Sequence, residues 1–486
     1  MDLYVKQKDW LFLLVCFGLG ILAEISFFHG SIGLSYPVFI AGFYMVLFLR
    51  YRLSFTHRRI GLLIMVVIWL LAGSYLFYDS ILLHNLNLLI IPVLVFIHMV
   101  LITSPNNWSW AAPEFLTLLI TKFNEGLKYS SAFCNAGFKR IFKNMNEQTA
   151  QIVKRIFLGL VIGIPLLLVI TGLLMSADAV FQDIVLRLPQ FIFQFNFQEG
   201  LFRFVLIIMF TLLFFGIFQV LHVKSKQKES YTNKEKSRVS WDGITTATVL
   251  VLLNGVYVVF TVIQFRYFFS DSLQNGFTYA EYARRGFFEL VIVTLINWTV
   301  LTTFLNLVKN PGKRMNLMMK IMYSLLIVVS GVMLTSAFQR LSMYEAAYGF
   351  TLDRILAHAF MIFLMVVFAY TLIRVWMERL SLLHFYLIAG LIFYTGLHVI
   401  HIEQIIVDEN LDRYERTGKI DIHYLNSLSY TGVNGLIKLY QEDPDHPRLQ
   451  GILQNEKQIA EQSPSTWQSF NFIKQKVTKK LRELDL

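Results

Sequence analysis

The chain has 486 residues, of which 56% are hydrophobic and only 15% are charged, and its mean hydropathy is +0.55. This composition excludes an ordinary soluble protein, because the apolar surface exceeds what a soluble fold of usual composition carries. The net charge of +11 does not indicate a nucleic-acid partner, since the basic residues fall between apolar runs and do not gather on one polar surface.

Apolar runs long enough to cross a bilayer, which takes roughly 20 residues, recur from Trp10 almost to His401. The first run is not followed by a clear cleavage site, so we expect a retained helix and not a signal peptide. The fourth run is the weakest, because it is polar at its start and contains Pro92. The pattern predicts an all-α polytopic bundle of about eleven spans, near residues 10–28, 35–50, 60–77, 86–103, 155–175, 201–222, 244–268, 280–307, 319–338, 352–376 and 382–401.

Lysine and arginine alternate between rich and poor loops along the chain. Rich loops lie near residues 50–59, 122–143, 224–238, 309–314 and 374–379. Because such residues concentrate on the cytoplasmic side of membrane proteins, we expect a cytoplasmic N-terminus and an extracytoplasmic C-terminus.

Two domains are expected. Residues 1–401 form the membrane domain, in which about 104–154 is a cytosolic loop with an amphipathic interfacial helix. Residues 402–486 form an extracytoplasmic helical tail. At its start the eleventh span is expected to run on to Tyr414 and to stop at Gly418, and at its end Ser463 is expected to cap a last helix that carries Trp467 and Phe470.

Four charged residues lie at the start of the predicted eighth span, within Gly276–Leu290. Thr278 and Glu281 have the spacing of a capping box, which gives Glu281 a structural role. Arg285 and Glu289 follow at helical spacing on the same face, and a carboxylate at that depth needs a partner or a water-filled cavity. The four residues are Glu281, Arg284, Arg285 and Glu289.

A partial copy of this stretch begins at Gly349, where Gly-Phe-Thr again precedes a span. In a duplicated hairpin, Arg354 would take the place of Glu281 and His358 the place of Arg285. Two interpretations stay open. The charges form either a static ion-pair cluster between helices or an outward-facing polar chamber that binds an anionic or zwitterionic small molecule or lipid headgroup, with Glu289 as counter-charge or proton carrier. The candidate ligand-binding residues are Arg266, Glu281, Arg284, Arg285, Glu289, Arg340, Tyr344, Tyr348, Arg354 and His358.

Metal and cofactor sites are not expected. His398 and His401 have only a loose ligand spacing with Glu403, and no third ligand is fixed. The sequence contains no phosphate-binding loop, zincin motif or nucleophile elbow. Its two cysteines, Cys16 and Cys134, are placed where no disulfide joins them.

Three motifs carry a resemblance to a known family: Phe277–Leu290, then Tyr344–Thr351 with Arg354, and then Glu409–Tyr414 followed by Thr417–Lys419. They resemble a bacterial multi-pass membrane family catalogued as domain of unknown function 4173, itself similar to family 4153. The resemblance covers roughly residues 150–440 and brings no activity with it. It implies a bacterial cytoplasmic membrane, and it adds Asn410 and Arg413 to the candidate ligand-binding residues at one extracytoplasmic site.

Three function classes remain open. The first is a transporter or ligand-binding membrane protein. The second is a membrane sensor or accessory subunit of a signalling or envelope complex, with a protein partner. The third is an envelope enzyme acting on a lipid-linked substrate, so the sequence leaves open whether the protein is an enzyme.

Overall fold

The computed structural model describes residues 7–51, 56–105, 110–141, 197–222, 241–269, 287–308, 312–462 and 466–485, with isolated positions between 155 and 174. Over these residues the protein is helical, and the β structure there is a single isolated bridge between Trp241 and Val308. The predicted all-α fold is therefore confirmed. Sixteen helices are described: α1 Gln7–Phe28, α2 Ser35–Tyr51, α3 Arg58–Phe77, α4 Ile81–Thr103, α5 Pro113–Ile141, α6 Phe197–His222, α7 Gly243–Phe269, α8 Phe287–Leu307, α9 Lys313–Tyr348, α10 Leu352–Trp376, α11 Leu382–Val399, α12 Ile402–Thr417, α13 Ile422–Ser427, α14 Ser429–Glu442, α15 Leu449–Gln462 and α16 Phe472–Glu483.

Nine of the described helices are long and apolar enough to cross a membrane: α1, α3, α4, α6, α7, α8, α9, α10 and α11. Helix α2 is a shorter apolar helix of 17 residues. Helix α4 qualifies although Pro92 lies inside it, and the predicted span at 155–175 lies outside the described residues. The protein is thus a multi-pass integral membrane protein.

The chain divides into two compact units. The first unit comprises Met1–Leu76, Leu89–Ser225 and Ser465–Phe470, and in it α6 packs against α1 and α5. Glycine allows the close approach of α1, because a Cβ on Gly20 would lie 2.8 Å from the carbonyl oxygen of Ile207. Helix α5 lies in the expected 104–154 loop, is amphipathic and extends to Ile141, while its position at the membrane surface stays a prediction.

The second unit comprises Phe77–Leu88, Lys226–Pro464 and Asn471–Leu486. Its central element is α9, which packs against α7, α8 and α10. At 36 residues α9 is much longer than the predicted span 319–338. The helix continues because Gln339–Tyr348 contains no glycine or proline, and it ends at Gly349, whose φ of 87° suits glycine.

The tail of the second unit, α12–α16, surrounds an apolar core that includes Ile406, Leu436, Leu449 and Leu481. The prediction of one continuous helix through to Tyr414 is wrong, because α11 ends at Val399 and a separate helix, α12, begins at Ile402. The carbonyl of Val399, which the break leaves without a helical donor, accepts a hydrogen bond from the Tyr78 hydroxyl at 2.7 Å.

Local sequence signals determine where α12 ends and where α16 begins. The predicted stop at Gly418 is confirmed, since this residue has φ 65° and its amide donates to the Tyr414 carbonyl. The last helix does not begin at Ser463. It begins at Phe472 because the Asn471 side chain accepts from the Lys474 amide at 3.0 Å, so Trp467 and Phe470 precede the helix.

Candidate functional site

The turn between α9 and α10 is held by the tail helix α12, in an arrangement that we call the Gly349 junction (residues 344–354 with Asn410 and Arg413). Gly349 combines φ 87° with ψ 173°, a backbone region in which essentially only glycine is found. A Cβ there would lie 2.6 Å from the Asn410 Oδ1. The turn therefore requires glycine for both its backbone conformation and its close contact with α12.

Asn410 holds the backbone on both sides of Phe350. Its Oδ1 accepts from the Phe350 amide at 3.2 Å, and its Nδ2 donates to the Phe350 carbonyl at 2.9 Å and to the Ile406 carbonyl at 2.8 Å. Next to it the Tyr424 hydroxyl accepts from the Leu352 amide at 2.7 Å. These contacts use side chains of the tail to satisfy backbone groups that the helix ends leave unpaired.

The arginines of the junction also donate hydrogen bonds to main-chain carbonyls. Arg413 donates to the carbonyls of Ala347, at 2.8 Å, and Lys419, at 3.1 Å. Arg354 donates to the Gly349 carbonyl, and its guanidinium lies 4.4 Å from the centre of the Tyr344 ring. The Tyr344 ring is 4.8 Å from that of Tyr348, which is exposed.

A buried acid and a histidine lie behind this turn. Glu345 is only 5% exposed, and its Oε1 is 3.2 Å from the Nδ1 of His358. The Nε2 of His358 lies 3.3 Å from the Phe338 carbonyl and 3.2 Å from the Ser342 hydroxyl, which itself donates to that carbonyl. Both ring nitrogens of His358 therefore lie within hydrogen-bond distance of polar groups of α9, the Glu345 carboxyl on one side and the Ser342 hydroxyl and Phe338 carbonyl on the other.

The remaining predicted site residues are only partly described. Arg340 is half-buried on α9, and Glu289 is exposed in the first turn of α8, as described from Phe287. Arg266 lies in the last turn of α7, but its side chain lies outside what the structure describes. Glu281, Arg284 and Arg285 lie outside the described residues, so the proposed match between the two hairpins stays a prediction.

Sequence reasoning did not select Glu345, although it lies in the second motif. The signal that could have identified it is a single carboxylate among apolar residues just before the predicted tenth span. The same signal was present at Glu24 in the first unit, which is 3% exposed and lies 3.7 Å from the Arg203 Nε and 3.3 Å from the His29 ring.

A second contact fastens the tail. The carboxylate of Asp79 accepts from the amide of Thr431 at 2.9 Å and from its hydroxyl at 2.6 Å. The ring of His401 lies 3.4 Å from that hydroxyl and 5.0 Å from the centre of the Tyr78 ring. Burial lowers the pKa of His401, and the carboxylates of Glu403, Asp79 and Asp408 partly oppose this shift.

His398 and His401, whose spacing loosely resembles that of metal ligands, each contact a different group of the protein. The Nδ1 of His398 lies 2.9 Å from the Tyr394 carbonyl, within its own helix, while His401 contacts Thr431. Within the described part of the chain, no group of three or more histidine, cysteine, aspartate or glutamate side chains is arranged to hold a metal ion.

The other end of α9 borders an open cavity of about 340 Å³, which we call the Lys320 pocket. Lys320 lies 2.8 Å from Glu378, and the Asn316 amide donates to the same carboxylate at 3.5 Å. The hydrogen bond from Lys320, followed by that from Asn316, holds the pKa of Glu378 below its ordinary value. The pocket is lined by Phe304, Leu305, Val308, Asn316, Met319, Lys320, Tyr323, Arg374, Val375 and Glu378.

Two buried asparagines lie on the helices that pack against α9. Asn297 donates to the Ser330 hydroxyl at 2.9 Å, and Asn254 donates to the Met322 carbonyl at 3.0 Å. The Oδ1 of each is buried and accepts no hydrogen bond from any residue within the described ranges. These atoms place polar, unpaired acceptors inside the helical bundle.

Comparison with known proteins gives one match. Residues 65–439 match the model of a family described as Domain of unknown function (DUF4153). No curated protein and no solved structure matches the chain. Of the two families that the motifs suggested, the match is to the second, and it includes the Gly349 junction, the Glu345–His358 pair and the Lys320 pocket. The chain therefore belongs to the DUF4153 family.

Proposed function

We propose that the protein binds a small anionic or zwitterionic solute at the Tyr348 end of α9 and carries it across the membrane together with a proton. The observation that carries this proposal is the Glu345–His358 pair, in which a carboxyl group that is only 5% exposed lies 3.2 Å from an imidazole nitrogen. Ionisable residues inside membrane bundles are typical of proton relays and substrate pathways.

The ligand would meet cations and aromatic rings on the surface of the junction. Arg354 rests on Tyr344 beside the exposed Tyr348 ring, and Arg340 is half-buried on the same helix. Such a surface suits a carboxylate or phosphate group. Asn410 and Arg413 would support this site from the tail. The residues proposed to complete it from the neighbouring hairpin are Arg266, Glu281, Arg284, Arg285 and Glu289.

Coupling to a proton follows from electrostatics. A bound anion near Glu345 and His358 favours the protonated pair, and the protonated pair in turn favours the anion. Solute and proton would therefore bind together and leave together. The unpaired Oδ1 atoms of Asn297 and Asn254 offer hydrogen-bond acceptors to a polar solute deeper in the same unit.

The proposed location is the cytoplasmic membrane of a bacterium, with the N-terminus in the cytoplasm and the tail outside. The alternation of basic loops supports this orientation. A reporter enzyme that is active only outside the cytoplasm, fused after Leu486, should be active. An inactive reporter fusion that is present at normal abundance would indicate that the C-terminus is in the cytoplasm, contrary to the proposal.

Transport can be tested in proteoliposomes that contain the pH-sensitive dye pyranine. Glycine, inorganic phosphate and acetate, added outside one at a time, serve as zwitterionic and anionic probes. At least one of them should acidify the lumen, and Glu345→Gln and His358→Gln should abolish that signal. Asp353→Asn is the matched control, because it changes an exposed acid in the first turn of α10, and it should retain the acidification signal. No acidification with any probe, or an unchanged signal in Glu345→Gln, would contradict the proposal.

A second candidate is an accessory subunit whose tail presents a surface to a protein partner. The observation in its favour is the use of Asn410, Arg413 and Asp79 to fasten the tail to the spanning helices. Purification from native membranes in mild detergent should then recover a stoichiometric partner, and Asn410→Ala should release it. Repeated isolation of the chain alone would count against this role.

A further inference from the structure

The Lys320 pocket lies where α8, α9 and α10 meet, at the end of α9 opposite the Gly349 junction. Its lining combines apolar side chains, among them Phe304, Leu305 and Val308, with polar and charged ones. Its volume of about 340 Å³ lies within the range of small-molecule sites, ~300–1,000 Å³. All its lining residues belong to the second unit.

The charges of the pocket do not cancel. The ammonium group of Lys320 is paired with Glu378 at 2.8 Å. Arg374 adds a second cation, and its buried Nε donates to no acceptor among the residues that the structure describes. The pocket therefore has one net positive charge and a guanidinium nitrogen available for a ligand.

Tyr323 points to the same kind of ligand. It is only 5% exposed and lines the pocket, and its buried hydroxyl has no hydrogen-bond partner in the described part of the chain. Buried hydroxyls are almost always paired, so an unpaired one beside a cavity indicates a group that binds there. The four side chains Asn316, Lys320, Tyr323 and Arg374 offer many donors against one carboxylate acceptor, Glu378.

We propose that the Lys320 pocket binds a phosphate group. Arginine and lysine together with a hydroxyl are typical of phosphate recognition, since guanidinium binds two phosphate oxygens at once. The apolar lining residues suit a phosphate that is esterified to a carbon chain. The group can be a free phosphate or the headgroup of an anionic lipid, and the site does not depend on the transport proposed above.

The full chain in detergent is titrated with sodium phosphate at constant ionic strength, with sodium chloride as the reference salt, and thermal unfolding is followed. For the lipid source, the protein is placed in nanodiscs of phosphatidylglycerol or of phosphatidylcholine. Phosphate should raise the unfolding temperature beyond chloride, or phosphatidylglycerol should raise it beyond phosphatidylcholine. The first result identifies free phosphate and the second a lipid headgroup. Equal temperatures in both arms would overturn the proposal.

Variants locate the effect. Arg374→Gln should weaken binding by about tenfold or more, and Tyr323→Phe, which removes only the hydroxyl, by about fivefold, as expected for hydrogen bonds to a charged group. Arg379→Gln is the matched control, because Arg379 is exposed and does not line the pocket, and it should bind within about twofold of the unaltered chain. Unchanged affinity in both Arg374→Gln and Tyr323→Phe would place the anion elsewhere and refute the assignment.

Discussion

The two ends of α9 use similar side chains for different purposes. At the Gly349 junction, Arg354 and Arg413 donate to main-chain carbonyls. In the Lys320 pocket, neither the Arg374 Nε nor the Tyr323 hydroxyl has a hydrogen-bond partner among the described residues. Helix polarity does not explain this difference, because Arg374 itself lies in the last turn of α10, where carbonyls are also left unpaired. The same type of side chain thus stabilises a turn at one end of α9 and remains available for an anion at the other.

The largest effect is expected from Gly349→Ala. Alanine strains the backbone at φ 87° and ψ 173° by about 1–3 kcal/mol, and its Cβ also meets the Asn410 Oδ1. Thermal unfolding and limited proteolysis should show a loosened tail. Gly390→Ala is the control, because a Cβ there meets no atom within 4 Å, and it should leave stability unchanged or slightly raised. Equal unfolding temperatures for the two variants would mean that the junction does not hold the tail.

The same substitution at the two ends gives a direct comparison. Asn410→Ala removes three hydrogen bonds and leaves the amide and carbonyl of Phe350 without these partners, a loss of about 1–3 kcal/mol. Asn316→Ala removes a single 3.5 Å contact to an exposed carboxylate, so we expect less than about 0.5 kcal/mol. Denaturant or thermal unfolding of both variants measures the difference. A larger loss for Asn316→Ala would reverse the comparison.

As the pH falls, the stability contributed by His401 in the tail should be lost at a higher pH than that contributed by Glu378 in the Lys320 pocket. Burial lowers the pKa of His401 below its ordinary value of 6.5. The unfolded chain then takes up the proton first, so this stability is present above pH 6.5 and is lost as the pH falls through the lowered value. Lys320 and Asn316 lower the pKa of Glu378 from 4.5, so that contribution is lost only below pH 4.5.

Unfolding measured from pH 8 to pH 4 tests this order. His401→Gln should flatten the curve below pH 6.5, whereas Glu378→Gln should change it little above pH 4.5, because Glu378 is 61% exposed. If a loss of stability that begins below pH 6.5 persists in His401→Gln, another group is responsible for it.

Local signals in the sequence predicted much of the fold. The apolar runs predicted the membrane helices, and glycine predicted the end of α12 at Gly418, whereas α9 extends to Tyr348, ten residues beyond the predicted span. Thr351 occupies the N-cap position of α10, but its side chain makes no capping hydrogen bond. There the Leu352 amide donates to the Tyr424 hydroxyl instead, so a tertiary contact replaces the local one.

Contacts between distant residues could not be predicted in the same way. Tyr78 and Val399 are 321 positions apart, and their hydrogen bond accompanies the helix break that the sequence analysis missed. Asp79 and Thr431 are 352 positions apart. Asn316 and Glu378, at the Lys320 pocket, are separated by 62 positions, and periodicity within one helix carries no information about which residue of another helix it faces.

The length of α9 has a mechanical consequence. Its 36 residues extend about 54 Å at 1.5 Å per residue, whereas the hydrocarbon layer is ~30 Å thick. A rigid-body tilt of about 10° around its midpoint would move each end by roughly 5 Å in opposite directions. With such a tilt, an occupant that shifted the Lys320 end would also displace Tyr348, and one that shifted Tyr348 would displace Lys320.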